Sequence, residues 1–275
     1  MSLHPIRLAV LAIVLCAVAM SPAAASAAPT WAPAATAAVH PGVQTLTAGA
    51  QCTSNFVYTD AAGAVYLGQA AHCSGTGTAT ETDGCTSASL PLGTPVDVTG
   101  ASRPGTLVYN SWLKMQSAGE NDPDTCAYND LALIRLDPAD AATVNPSIPT
   151  FGGPTGTGGA SAQGASVYSY GNSSLRNGIT QLSPKRGVVV QTDGNGWSRA
   201  VYTATPGIPG DSGSAFLDAD GAAIGVLSTV AIAPLAGSNG VGDLGRELTY
   251  AQAHSGIDGL ELALGTEPFT PNALQ

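Results

Sequence analysis

The chain has 275 residues, only 10% of them charged, and 19 acids against 9 bases give a formal net charge of −10. A surface that acidic makes nucleic acid and anionic lipid poor partners, since both demand a cationic footprint. With 34 glycines and 19 prolines, the composition favours many short strands joined by tight turns over a helical bundle.

In chain order, residues 1–27 read as an export signal. A short start carrying Arg7 precedes an unbroken apolar run from Leu8 to Met20, and the small residues Ala25, Ser26 and Ala27 follow. The run falls short of the roughly 20 residues a membrane-spanning helix needs, and bulky Leu15 stands before Cys16 where a lipoprotein wants a small residue. Its removal takes away Arg7 and no acid, so the exported chain is more acidic still. Residues 28–42 are rich in Ala, Pro and Thr and are expected to form a flexible leader, with no folded pro-domain. Mixed β-branched and aromatic runs then begin at 43–47 and continue at 56–59, 64–68, 95–99, 105–109 and 130–136. A second series covers 166–170, 187–191, 199–204, 214–217 and 223–229. Their spacing, with turn residues between them, predicts a sandwich or barrel. The stretch 152–159 (GGPTGTGG) is a plausible linker, which divides the chain into β domains over 43–150 and 151–275. The one helix predicted lies near the end, over about 244–253.

Four cysteines remain after export, Cys52, Cys73, Cys85 and Cys126. An even number in an oxidising compartment implies two disulfides, with three pairings open. No CxxC pair is present, so a structural zinc site is not expected. No motif calls for another metal or a cofactor, and none is expected.

The chemistry concentrates in three windows. Pro209-Gly210-Asp211-Ser212-Gly213-Ser214 places a serine between glycines, where a tight bend can project the hydroxyl and converge backbone N–H groups on an oxyanion. A serine needs an adjacent base. Of the histidines beyond the export signal, His40 lies in the leader and His254 near the end of the helix. His72, in Gln69-Ala70-Ala71-His72-Cys73, directly follows a strand pattern. The base must itself be oriented by a carboxylate, and Asp130 heads an otherwise apolar strand in Asn129-Asp130-Leu131-Ala132-Leu133-Ile134. Burial there is costly unless something donates to it.

Ala-Ala-His-Cys, then Asn-Asp-Leu-Ala-Leu-Ile, then Gly-Asp-Ser-Gly-Ser, in that order and at these intervals, resembles the chymotrypsin/trypsin-like serine peptidases, in their bacterial secreted branch. Subtilisin-like and α/β-hydrolase enzymes carry the same side chains in other orders. The resemblance implies an all-β fold of two six-stranded antiparallel β-barrels, with the active site in the cleft between them and a short C-terminal helix. It makes Ser212 the nucleophile, His72 the general base and then acid, Asp130 the group that fixes the imidazole, and Gly210 and Ser212 the oxyanion hole. Ser228 would support the buried aspartate. The resemblance further implies a Cys52–Cys73 disulfide beside the histidine and, with it, Cys85–Cys126. The expected activity is a secreted serine endopeptidase acting on proteins or peptides as a monomer; the alternative is a non-catalytic binding protein on a peptidase scaffold.

Departures from the family pattern bear on specificity. Pro206 stands where tryptic enzymes carry an aspartate, Leu227 where glutamate-specific relatives often carry a histidine, and Val230 where open pockets carry glycine. Pro206 and Val230 therefore predict a pocket for small or medium apolar side chains. No Ile/Val-Val-Gly-Gly activation terminus exists to pair with Asp211, and Arg176 is a candidate in its place. The acids Glu120, Asp122 and Asp124 read as a solvated turn more readily than as a calcium loop. Asn172-Ser173-Ser174 fits a glycosylation acceptor.

Overall fold

The computed structural model describes residues 29–78, 81–159, 161–231 and 235–271; the expected export signal lies outside them. The first half has seven strands: β1 (Gln44–Thr47), β2 (Ala50–Thr53), β3 (Val57–Thr59), β4 (Val65–Ala70), β5 (Pro95–Val98), β6 (Gly105–Asn110) and β7 (Leu131–Arg135); all but β2 fall on the first series of patterns. The second series forms β8 (Ser166–Tyr170), β9 (Pro184–Asp193), β10 (Ser198–Thr203), β11 (Ala215–Leu217) and β12 (Ala223–Val230); β13 (Asn239–Asp243) and a two-residue β14 (Glu261–Leu262) follow outside it.

The second half closes into a six-stranded barrel in the order β10-β13-β12-β11-β8-β9. The first half is an eight-stranded sheet, β14-β3-β4-β7-β6-β5-β1-β2, in which the eighth strand comes from the far end of the chain. The sheet curls so that β2 returns beside β4, and the Cys52–Cys73 disulfide ties them there. One closed barrel and one curled sheet make up the chymotrypsin-like two-barrel architecture. The first half has eight strands where six were expected, because β2 and the returning β14 add to it. Each sheet has its own apolar interior: Leu67, Leu107 and Ile134 in the first, Val167, Phe216 and Val241 in the second. A third cluster, with Tyr58 and Leu133 from one half and Ala215 and Val226 from the other, spans both.

Among the described residues three short α-helices lie outside the sheets. The expected helix is α3 (Leu244–His254), started by Asp243, whose side chain accepts the Arg246 N–H. The sequence reading missed α1 (Ser111–Ala118) and α2 (Pro123–Tyr128). Asn110 caps the first and left-handed Gly119 ends it; Asp122 caps the second, with Pro123 in its first turn. No helix among the described residues is long and apolar enough to cross a membrane.

The segment expected to be a flexible leader is docked over its later part. Val39 is fully buried, the Ala32 N–H donates to the Val144 carbonyl at 2.9 Å, and Asn145 Nδ2 donates to the Ala32 carbonyl at 2.6 Å. Its few apolar residues find a groove in the first half, which composition alone did not reveal.

Candidate active site

His72 stands on a single 3₁₀ turn, Ala71–Ser74, that directly ends β4. Cys73 on the same turn is bonded to Cys52, so the imidazole's anchor is covalently tied to β2. Asp130 immediately precedes β7. The two backbones are joined where the Ala71 N–H donates to the Asp130 carbonyl at 2.9 Å.

The Asp130 carboxylate, 3% exposed, collects three donors. His72 gives its backbone N–H to Oδ1 at 2.9 Å and lies with Nδ1 2.7 Å from Oδ2. The Ser228 hydroxyl, from β12 of the other half, donates to the same Oδ2. Because a carboxylate only accepts, Nδ1 is the protonated nitrogen and Nε2 is left as the acceptor facing the cleft. Burial pushes the imidazole's pKa down, but the Asp130 charge and hydrogen bond together outweigh it and leave the pKa raised.

Ser212 lies in the bend between β10 and β11 and, with His72, Asp130 and Ser228, lines one cleft of ≈ 760 Å³ between the halves. The Ser212 carbonyl accepts the Thr53 N–H at 2.8 Å, which draws the serine bend against β2. Gly213 makes that approach possible: its φ is +87°, and a Cβ there would stand 2.6 Å from the Thr53 carbonyl and 2.8 Å from the Ala70 nitrogen. Both flanking glycines of the bend, Gly210 and Gly213, have positive φ. The N–H groups of Gly210 and Ser212 meet no acceptor among the described residues, and no hydrogen bond joins Ser212 to His72 there. In unliganded sites that contact often tightens only with substrate.

Asp211 is the foundation of the bend. Its Oδ1 accepts the Ser173 N–H at 2.9 Å. Its Oδ2 receives Arg176 Nη2 at 2.6 Å and the Ile208 N–H at 3.1 Å. Arg176 is thus beside Asp211 as expected. Lys185, which the sequence reading passed over, brings Nζ to 3.0 Å of the same oxygen, with the side chains of both fully buried. Burial pushes that amine down in spite of the carboxylate beside it.

Val230 lines the cleft and is half exposed. Pro206 does not: it is exposed, and its carbonyl is held by Arg176 at 2.9 Å. The residue that shapes the floor instead is Asn239. Its Oδ1 accepts the Gly207 N–H at 2.8 Å, and its Nδ2 donates to the Gly207 and Thr229 carbonyls at 3.2 and 3.3 Å. The side chain therefore spans the two walls. Asn239-Gly240 reads locally as a turn, which hid the start of β13.

The weaker motifs find structural employment. Glu120, Asp122 and Asp124 are engaged with local backbone N–H groups, with Thr125 and with Asn195. Asn172 is partly buried and donates Nδ2 to the Gly42 carbonyl at 3.0 Å, so it is not a free glycosylation acceptor. Cys52, His72 and Cys73 lie close enough for a metal, but the disulfide consumes both sulfurs. The second disulfide joins Cys85 and Cys126.

Residues 70–226, more than half of the chain, match the trypsin-like peptidase domain. The chain belongs to the trypsin-like peptidase family. No curated protein matches it. Among solved structures it is similar to protease A of Thermobifida fusca, at 18% identity and a TM-score of 0.52 over 82% of this chain and 100% of that one. It is also similar to the chymotrypsin of Cellulomonas bogoriensis, at 17% identity and a TM-score of 0.51 over 82% of this chain and 98% of that one. A glutamic acid-specific serine protease described as using a histidine triad in substrate binding matches at 18% and 0.51, over 77% and 96% of the two chains. These likenesses are of fold; the peptidase family, a class of serine endopeptidase hydrolases, rests on the domain match.

Proposed function

We propose that this chain is an exported serine endopeptidase in which Ser212, His72 and Asp130 form the catalytic triad. The observation that carries the reading is the Asp130 carboxylate, which accepts from His72 Nδ1 and from Ser228 at the mouth of the cleft that Ser212 also lines. In this reading His72 Nε2 takes the Ser212 proton as Oγ attacks the scissile carbonyl. The oxyanion forms against the Gly210 and Ser212 N–H groups, and Asp130 stabilises the imidazolium. His72 then protonates the leaving amine. Water enters by the same route in reverse and releases the acyl group.

Export is supported by the pattern of residues 1–27 and by two disulfides, which persist in oxidising compartments. A preference for small or medium apolar side chains next to the scissile bond is supported by Val230 at the mouth of the cleft and by Asn239 across its floor. Among the described residues no lysine or arginine side chain lines the cleft to meet a glutamate, and its one imidazole is His72.

A peptide panel varied at the residue before the scissile bond tests this. Cleavage after Ala, Val or Leu, abolished by Ser212→Ala, is the expected result, and Val230→Gly should shift the preference toward larger side chains. Best cleavage after Arg, Lys or Glu contradicts the specificity. No cleavage by folded protein favours the binding-scaffold alternative.

A further inference from the structure

Glu247 stands in the first half of α3 with its side chain fully buried, where the triad chemistry has no use for an acid. It reaches from the C-terminal helix to the start of β7 and accepts the Asp130 N–H through Oε1 at 3.0 Å. Its other oxygen has no hydrogen-bond partner among the described residues, and no cation there lies within ion-pair distance of it. The groups that face it are Asp130, Asp243 at the helix cap, Arg199 from β10, and the hydroxyls of Tyr58 and Tyr109 from β3 and β6. Arg199, the one cation, is already paired with Asp243. A buried carboxylate with a single protein donor and two neighbouring acids is strongly disfavoured. Burial first, and then the charges of Asp130 and Asp243, hold this carboxyl well above the usual carboxylate range. The Asp130 N–H and Arg199 oppose them without prevailing.

We infer that Glu247 is a positioning residue for the triad, a buried carboxyl that pins the Asp130 peptide by its N–H and so aims the aspartate at His72. The peptide backbone around Asp130 is then held on both sides: Glu247 takes its N–H, and its carbonyl takes the N–H of Ala71, one residue before the imidazole. A neutral acceptor supplies this geometry without placing a second negative charge beside the His72–Asp130 pair, where it would make the base harder to deprotonate. The inference rests on the triad reading above.

The test compares the full-length folded protein with Glu247→Gln, which keeps an acceptor oxygen and no charge, and Glu247→Met, which keeps length and loses the acceptor. Two quantities are read: kcat and KM on the best peptide of the panel, and the titration of the His72 imidazole by NMR. Glu247→Met should lower kcat about 10- to 100-fold, as displaced catalytic groups do, with KM within about twofold, and should move the His72 titration. Glu247→Gln should recover most of that loss and titrate like the parent. The inference is overturned if Met leaves both quantities unchanged, or if Gln lowers the His72 titration, which would reveal that a charge had been removed. Should Glu247→Met not fold, the Gln titration alone decides between the same two outcomes. Absence of turnover in the parent protein strikes the peptidase reading instead, and the titration still decides the role of Glu247.

Discussion

At His72 two opposing influences meet, and in the proposed triad their balance would set the pH dependence of the reaction. Burial disfavours the imidazolium, while the charge and hydrogen bond of Asp130 favour it by more, so the folded pKa is raised. The general base must be neutral to act, so the acid limb of kcat/KM should lie above the ordinary imidazole value of about 6.5. Asp130→Asn should move that limb down and lower kcat by about 10⁴-fold; an unmoved limb in a pH–rate profile contradicts the pairing. The linkage has the opposite sign for stability. A raised folded pKa contributes stability that is fully present below the unfolded value and is lost as pH rises through the folded one. At this scale the three motif windows were legible because each carries its own local signature. Glu247, Asn239 and Lys185 were not, because each acquires its role only from a partner distant in sequence: Asp130, Gly207 and Asp211.

Among elements, the serine bend is held from below by one carboxylate and two buried cations. Removing the anion leaves Arg176 and Lys185 buried without their partner, which typically costs about 3–5 kcal/mol. Replacing Lys185 by methionine leaves the Arg176–Asp211 pair intact and fills the same space with an apolar chain. Chemical denaturation should therefore show Asp211→Asn strongly destabilised and Lys185→Met within about 1 kcal/mol of the parent. Equal losses in the two variants would assign the anchoring to Lys185. The strand pattern was readable where alternation or β-branched runs were strong, as in β5, whose residues alternate exposed and buried. It failed at β13, where an Asn-Gly pair mimics a turn, and at β14, whose two residues are too few to show any period. The helix α1 escaped because only its ends, Asn110 and Gly119, carry a clear helical signal.

For the whole molecule, the stretch after α3 adds a seam between the halves to the ties already described. After α3, β14 pairs with β3 of the first sheet, the Gly265 N–H reaches the Pro154 carbonyl at 2.8 Å and the Thr270 N–H reaches Phe151 at 2.7 Å. Phe269 then packs edge-on against Tyr168 of the second half. Truncation after Ser255 would strip Leu260 and Phe269 from this seam, about 2 kcal/mol each by apolar burial, and should lower the melting temperature by roughly 10 °C. An unchanged melting curve would show that the seam holds without them. The two-barrel architecture was visible in the sequence through motif order, since strand patterns alone left sandwich and barrel open. The return of the tail to the first sheet was not, because a pairing of residues 58 and 262 leaves no local trace. What the architecture accomplishes is to bring an imidazole, a carboxylate and a hydroxyl from three distant segments to one cleft. The most direct measurement is covalent labelling of the folded protein with a fluorophosphonate, with the modified residue located by mass spectrometry. The account predicts a single adduct on Ser212 that forms faster as His72 loses its proton and is abolished in His72→Ala; an adduct elsewhere, or none on folded protein, contradicts it.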